Sequence, residues 1–297
     1  MKRNYRNDNL KNSRVILFIN PSKKNALKLG LEIESELNSQ KIRTEIFYVK
    51  KNVVPELKGK YDLAISLGGD GTVLSTARFM SPLGVPVFSV NLGTFGFIAG
   101  VQPDEWQDVF KFWASGKTFI SERLMLDIKV MRKGEEIHMG SCLNEAVISS
   151  SGIAKIINLN VFLLEGDKKE FFHLGSYRSD GLIIASPTGS TAHSLAAGGP
   201  ILDPELKAII LNPICPFALP SRPMVLPAEE TIIVEVEKEQ KGEITLALDG
   251  QIRGKINKSD KIIINKAPYY CLLAASGRTG FYDTLATKFA WAGGRKN

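Results

Sequence analysis

The sequence predicts an α/β domain followed by a mostly β domain. Three observations predict it. Apolar runs of strand length alternate with helical periodicities up to about residue 116. A period of two takes over near residue 117 and persists to about residue 274. Glycine-rich turns follow two of the early strands, where ligands bind in parallel sheets.

The elements follow in order. Val15–Ile19 reads as a buried strand, ended by Asn20-Pro21-Ser22. Ala26–Leu37 reads as a helix, with the pairs Leu27/Leu31 and Ile33/Leu37 spaced at i,i+4. Ile42–Val49 and Leu63–Leu67 are the next strands, and Val73–Met80 is a helix. Val85–Val90 is the fourth strand, and the helix Asp104–Ala114 places Trp106, Phe110 and Trp113 on one face. Leu124, Leu126, Ile128 and Val130 then alternate with their neighbours, and Arg132–Glu135 reads as a hairpin turn. Leu143–Ser149, Ile157–Leu164, Gly181–Ser186, Ile232–Glu237, Ile244–Leu248 and Lys261–Asn265 are further strands. A short helix fits Thr191–Ala197, and a final one fits Arg278–Trp291. The expected division is 1–116 with 275–297 as an α/β nucleotide-binding domain, and 117–274 as a β-rich domain.

Composition narrows the function classes. The chain has 297 residues, 44% hydrophobic and 23% charged, as a globular protein does. Its formal charge of +7 fits an anionic ligand and equally fits plain solubility. No Lys/Arg run is dense enough for a nucleic-acid patch. Cys142, Cys215 and Cys271 are widely spaced, and His138, His173 and His193 lack ligand spacing, so zinc and disulfide frameworks are not expected. Unpaired cysteines point to a reducing cytoplasm. The apolar run behind the basic N-terminus is too short for a signal h-region, and no run is long enough for a membrane span.

Several motifs carry chemistry. Gly68-Gly69-Asp70-Gly71-Thr72 follows a buried strand. It reads either as a phosphate cradle of backbone amides or as a tight strand–helix turn with a capping Asp. A carboxylate repels phosphate, so Asp70 suggests a proton acceptor or a metal ligand. Asn144-Glu145 suits vicinal hydroxyls, since both side chains accept from O–H groups, and it also reads as a polar start to a strand. Ser179-Asp180-Gly181, Pro187-Thr188-Gly189-Ser190-Thr191-Ala192 and Gly198-Gly199-Pro200 are rich in small residues, as close backbone approach to a ligand requires. Leu248-Asp249-Gly250-Gln251 reads as a turn between strands.

Taken together with Asn91-Leu92-Gly93-Thr94-Phe95-Gly96-Phe97, these motifs resemble the NAD kinase family in order and spacing, over about Val15–Trp291. The fold implied is a Rossmann-like α/β domain and a β-sandwich-like domain, with the C-terminal tail returning to the first. The activity implied is transfer of the ATP γ-phosphate to the 2′-hydroxyl of the adenosine ribose of NAD, giving NADP. Asp70 takes the role of general base. Gly68, Gly69, Gly71 and Thr72 fall on the ATP phosphates. Asp70, Gly71, Phe95, Asn144, Glu145, Lys155, Arg178, Asp180, Thr191, Ala192, His193, Ser194, Leu195, Ala196 and Gln251 fall on NAD contacts. Many members carry Tyr where this chain has His193, which offers less ring area. Mg²⁺ or another divalent ion is expected with ATP, with no metal ligand assigned to the protein. NAD and ATP are the expected partners, with no nucleic acid and no membrane, in a homodimer or homotetramer.

Two rivals share part of the pattern. A lipid kinase shares the Gly-Gly-Asp-Gly turn, but Asn144-Glu145 and the Thr188–Ala196 run suit a dinucleotide. A non-catalytic NAD sensor needs no base, which Asp70 argues against.

Overall fold

The structure is a computed structural model that describes residues 13–50, 53–93, 96–98, 100–152, 155–165, 170–218, 220–240, 242–274 and 278–289. It forms two compact units, 1–122 with 271–297, and 123–270.

The first unit is built on the strands β1 (Arg14–Ile19), β2 (Arg43–Tyr48), β3 (Leu63–Gly68) and β4 (Val87–Asn91). They are parallel and lie in the order β2-β1-β3-β4. Helices cover both faces, which is why β1 and β3 are apolar at nearly every position. Val15, Leu17 and Ile19 of β1 pack with α1 (Ala26–Ser39) and α3 (Trp106–Ala114). Phe18 points the other way, and its ring meets Phe47 at 5.3 Å and Phe79 of α2 (Asp70–Met80) at 6.3 Å. Trp106, Phe110 and Trp113 are buried together, as their spacing predicts. The face of α1 differs from expectation. Its buried residues are Ala26, Leu29, Gly30, Ile33 and Leu37, while Leu27 and Leu31 are exposed. Gly30 sets that face, since a Cβ there would lie 2.3 Å from Ile19 Cδ1.

From β1 the chain moves to one side, to β2, and then returns to the other side, to β3. The topological switch point therefore lies between β1 and β3, and ligands bind beyond the carboxyl ends of the strands there.

The second unit is β-rich. Its strands are β5 (Ile120–Arg132), β6 (Glu135–Cys142), β7 (Glu145–Ser150), β8 (Ile157–Glu165), β9 (Glu170–Ser179), β10 (Gly181–Ala185), β11 (Ala208–Ile214), β12 (Met224–Pro227), β13 (Thr231–Val236), β14 (Ile244–Leu248), β15 (Ile252–Ile256) and β16 (Lys261–Ala274), with the short helix α4 (His193–Ala196). One antiparallel sheet runs β12-β11-β10-β7-β14-β15. The other runs β16-β13-β8-β9, with the β5–β6 hairpin on β16. Alternating residues of both sheets share one core, from Leu126 and Ile128 to Ile148, Leu182, Leu246 and Ile264, as in a sandwich. Two hairpins turn on paired positive φ values, Lys133 at 52° with Gly134 at 86°, and Asp249 at 50° with Gly250 at 66°. Such turns match the right-handed twist of the strands they join.

Strands β6, β9, β11, β12 and β15 go beyond the sequence reading. β9 and β15 lie at sheet edges and carry exposed or charged residues, so their alternation is blurred. Pro213 masks β11, yet it lies past the end of the β11–β12 pairing, where a missing N–H costs nothing.

The end of the chain returns to the first unit. Leu273 and Ala274 of β16 pair in parallel with β4, and the helix α5 (Arg278–Phe289) buries Phe281 and Leu285. Among the described residues no helix is long and apolar enough to cross a membrane.

Candidate active site

The Gly-Gly-Asp-Gly turn leaves β3 and becomes α2 with no intervening loop. Gly69 is the N-cap in extended backbone, and Asp70 is already helical. Gly68 is buried, and a Cβ on it would sit 2.1 Å from Thr72 Oγ1. The sequence pattern starts this helix three residues later because Asp-Gly-Thr adds nothing to the apolar stripe.

Asp70 does not cap its own helix. Its carboxylate reaches the loop after β4, where Oδ2 accepts the Phe97 amide at 2.9 Å and Oδ1 the Ile98 amide at 3.3 Å. Gly96 gives the carboxylate its room, since a Cβ there would fall 1.9 Å from Oδ1. The Phe97 ring stacks on Phe289 of α5 at 5.5 Å, and Lys288 Nζ lies 4.4 Å from its centroid. Ile98 is buried, and its carbonyl accepts from Ser89 Oγ at 3.1 Å. The carboxylate is thus set by amides that are themselves fixed from behind.

The loop after β1 joins the same place. Asn20 N–H donates to the Leu67 carbonyl at 3.0 Å, and Asn20 Nδ2 donates to Thr72 Oγ1 at 3.4 Å. Ser22 donates to Asn20 Oδ1 through its amide at 3.1 Å and its hydroxyl at 2.7 Å. This turn directs Lys23 over the glycines. Its Cε lies 4.0 Å from the position a Cβ would take on Gly69, and its Nζ 3.2 Å from that position on Gly93. The sequence reading passes over Lys23. The signal available was its place in the first β–α connection.

In the second unit, Asn144 and Glu145 open β7 with both side chains buried. Asp249, from the β14–β15 turn, accepts the amides of Leu143 at 3.1 Å, Asn144 at 2.8 Å and Glu145 at 3.3 Å. The Asn144 carbonyl accepts the Ser186 amide at 2.8 Å, and a Cβ on Gly189 would meet that same carbonyl oxygen at 2.1 Å. Glu145 Oε1 lies 2.8 Å from His193 Nδ1, with the carboxylate 2% exposed and the imidazole 67% exposed. Glu145 Oε2, Asn144 Oδ1 and Thr188 Oγ1 are buried and have no hydrogen-bond partner. Burial pushes the Glu145 carboxyl above its ordinary value, against the downward pull of the His193 hydrogen bond. Buried polar atoms left unpaired are expensive unless a ligand completes them.

The remaining predicted residues are placed as follows. Thr191 ends the 3₁₀ turn Thr188–Thr191, and Ala192 precedes α4, which holds His193, Ser194, Leu195 and Ala196. Ser194 is buried, and Asn212 Nδ2 donates to its carbonyl at 2.9 Å. Lys155 is exposed, and its stem lies against Gly152. Arg178 is exposed over the Phe217 ring at 4.6 Å, and Asp180 is exposed with its amide on the Ile214 carbonyl. Gln251 follows the Asp249-Gly250 turn, its amide donating to the Leu248 carbonyl. Phe95 lies outside the described residues. Among the described residues, no group of three His, Cys, Asp or Glu side chains could hold a metal.

Residues 6–116 match the ATP-NAD kinase N-terminal domain, and residues 143–275 match the ATP-NAD kinase C-terminal domain. The chain is 41% identical over 281 residues to an NAD kinase of Treponema denticola, spanning 94% of this chain and 97% of that one. The chain belongs to the NAD kinase family. A second NAD kinase, from Aquifex aeolicus, is 37% identical over 279 residues, spanning 94% of this chain and 99% of its own length. Among solved structures, yeast NADH kinase complexed with NADH superposes with a TM-score of 0.82 at 23% identity, covering 96% of this chain and 89% of that one. An NAD kinase from Archaeoglobus fulgidus in complex with ATP gives 0.69 at 23% identity, covering 92% and 97%. These two show the shared fold. The full-length similarity shows the activity of the family, ATP-dependent phosphorylation of NAD by a phosphotransferase.

Proposed function

We propose that Asp70 is the general base that activates the 2′-hydroxyl of the adenosine ribose of NAD for attack on the ATP γ-phosphate. The observation that carries this reading is the double amide grip on the Asp70 carboxylate. A ribose hydroxyl is a weak nucleophile, and a base must be oriented before it can help. As the bond from the 2′-oxygen to phosphorus forms, the bond from phosphorus to the β–γ bridging oxygen breaks, and ADP leaves. The hydroxyl proton passes to a carboxylate oxygen of Asp70. The backbone amides around Gly68, Gly69, Gly71 and Thr72 serve the donor phosphates.

Asn144 and Glu145 hold a ribose, since Asn144 Oδ1 and Glu145 Oε2 are acceptors in need of O–H donors. Thr191–Ala196 line the adenine side, and Lys155, Arg178, Asp180, Gln251 and Phe95 complete the dinucleotide contacts. His193 positions Glu145 and covers the nucleotide.

A divalent cation carried by the nucleotide would supply charge neutralisation to the phosphates. The donor set at the turn, one carboxylate among backbone amides, fits an ion held by nucleotide and water and not a protein cage. Free cysteines agree with a cytoplasmic protein. Phe171 and Phe172, exposed on the edge strand β9, offer an apolar surface for a homodimer or homotetramer.

The test is NADP formation from ATP, Mg²⁺ and NAD by the wild type and by Asp70→Asn. The variant is expected to lose about 10²- to 10⁴-fold in turnover while NAD binding persists. Near-native turnover would remove Asp70 from the role.

A further inference from the structure

Lys23 stands in the first β–α connection, at the switch point between β1 and β3. Its position is not left to a mobile surface chain. The Asn20–Ser22 turn is tied to the last residue but one of β3 through Leu67, and to the first turn of α2 through Thr72. From this anchor the lysine stem crosses Gly69, and the ammonium reaches Gly93. Gly93 is itself fixed, since its amide donates to Asn91 Oδ1 at 3.1 Å. Both glycines lack the Cβ that would fill the space beneath the lysine. Among the described residues no carboxylate pairs with Lys23, whereas ten other pairs are formed. A half-buried ammonium laid over two glycines, with no carboxylate partner among the described residues, is built for a polyanion.

We propose that Lys23 is the side-chain cation that holds the phosphate chain of the phosphoryl donor against the Gly69 and Gly93 backbones. It is distinct from Asp70, which serves the acceptor. Its place at the switch point puts a positive charge where the glycine turn supplies only dipoles. An ammonium there offsets the repulsion between Asp70 and the incoming phosphates. The chemistry it recognises is a linear chain of phosphates, supplied either by a nucleoside triphosphate or by an inorganic polyphosphate. This inference rests on the kinase reading above.

The test compares wild type with Lys23→Met, which keeps the apolar stem, and Lys23→Arg, which keeps the charge. For Lys23→Met, KM for ATP is expected to rise about 10- to 100-fold, the worth of one charge-assisted contact. NAD dissociation, measured without ATP, should stay at the wild-type value. Lys23→Arg should recover most of the ATP affinity. Tripolyphosphate, used as a competitive inhibitor of ATP, should weaken in Lys23→Met by the same factor if the phosphates alone are read. If it does not bind the wild type at all, the contact belongs to the nucleotide donor only. Gly93→Ala gives a second route, since its new methyl meets Nζ and should raise KM for ATP in a protein that retains Lys23. Unchanged KM for ATP in Lys23→Met overturns the proposal, and so does an equal loss in Met and Arg variants, which marks a packing role. Either result leaves the kinase reading standing as long as the wild type forms NADP. A wild type that forms none overturns the kinase reading instead.

Discussion

Asp70 and Phe97 are coupled through both parts of the phenylalanine: its amide donates to Asp70 Oδ2 at 2.9 Å, and its ring is stacked on Phe289 of the last helix. The carboxylate is therefore oriented by a loop that the C-terminal segment holds in place. A proposed base gains from such fixing, because a carboxylate on a flexible rotamer would spend most of its time misaligned.

Gly96→Ala should displace the carboxylate of Asp70, the proposed base, without changing its chemistry. The added Cβ falls 1.9 Å from Asp70 Oδ1. The carboxylate or the loop must shift by about 1 Å, which can cost about 100-fold in turnover. Gly100→Ala is the control, because nothing lies within 4 Å of a Cβ there. Steady-state rates of NADP formation check both. Equal rates for the two variants would mean the carboxylate does not need its observed position.

Phe289→Ala removes the stack behind Phe97. The pair is worth about 0.5–1.5 kcal/mol beyond its area, so the melting temperature should fall modestly. Turnover should fall several-fold with KM for NAD unchanged, and Phe289→Tyr should restore it. Parallel losses in kcat and in NAD affinity would show that α5 acts on binding and not on the base.

Gly189→Ala tests the floor of the second unit. Its methyl would meet the buried Asn144 carbonyl oxygen at 2.1 Å, and that carbonyl is already bonded to the Ser186 amide. Backbone on both sides cannot yield cheaply, so the cost should be about 1–3 kcal/mol. Urea denaturation measures it. A neutral substitution would show that the 186–189 turn is free to relax.

The fold was legible where burial is two-sided. β1 and β3 read as strands because both faces meet helices, and α3 because its aromatics share one face. The α1 face is illegible in the pattern because a glycine, Gly30, marks the side that touches the sheet, and glycine carries no hydrophobic signal. Edge strands such as β9 and β15 were lost because solvent lets their outer residues be polar. Among the candidate residues of each unit, Asp70 and Glu145 stand out because carboxylates beside buried strands are costly. Lys23 did not, since a lysine in a polar loop looks like any other until the fold lays it over Gly69 and Gly93. Asp249 read as a turn residue, and its grip on three amides of the β7 start depends on register between distant strands.

The Glu145–His193 pair sets a final expectation for stability and pH. Burial is the main cause that raises the Glu145 carboxyl, with Asp249 acting in the same direction and His193 in the opposite one. The folded protein therefore holds this proton more tightly than the unfolded chain does. Between the ordinary carboxylate range and the raised value, unfolding releases the proton, and stability falls as pH rises through that window. Above the window the full penalty of a buried charge is carried. Glu145→Gln abolishes the titration, so the variant should melt higher than wild type at neutral pH, and the gap should close near about pH 4. The same change should weaken NAD binding about tenfold, because a carboxamide is a poorer acceptor for ribose hydroxyls than a carboxylate. Melting curves at both pH values and NAD titrations at neutral pH measure the two effects. A variant that melts lower at neutral pH would show that His193 already compensates the charge, leaving Oε2 with no deficit for a ribose to fill.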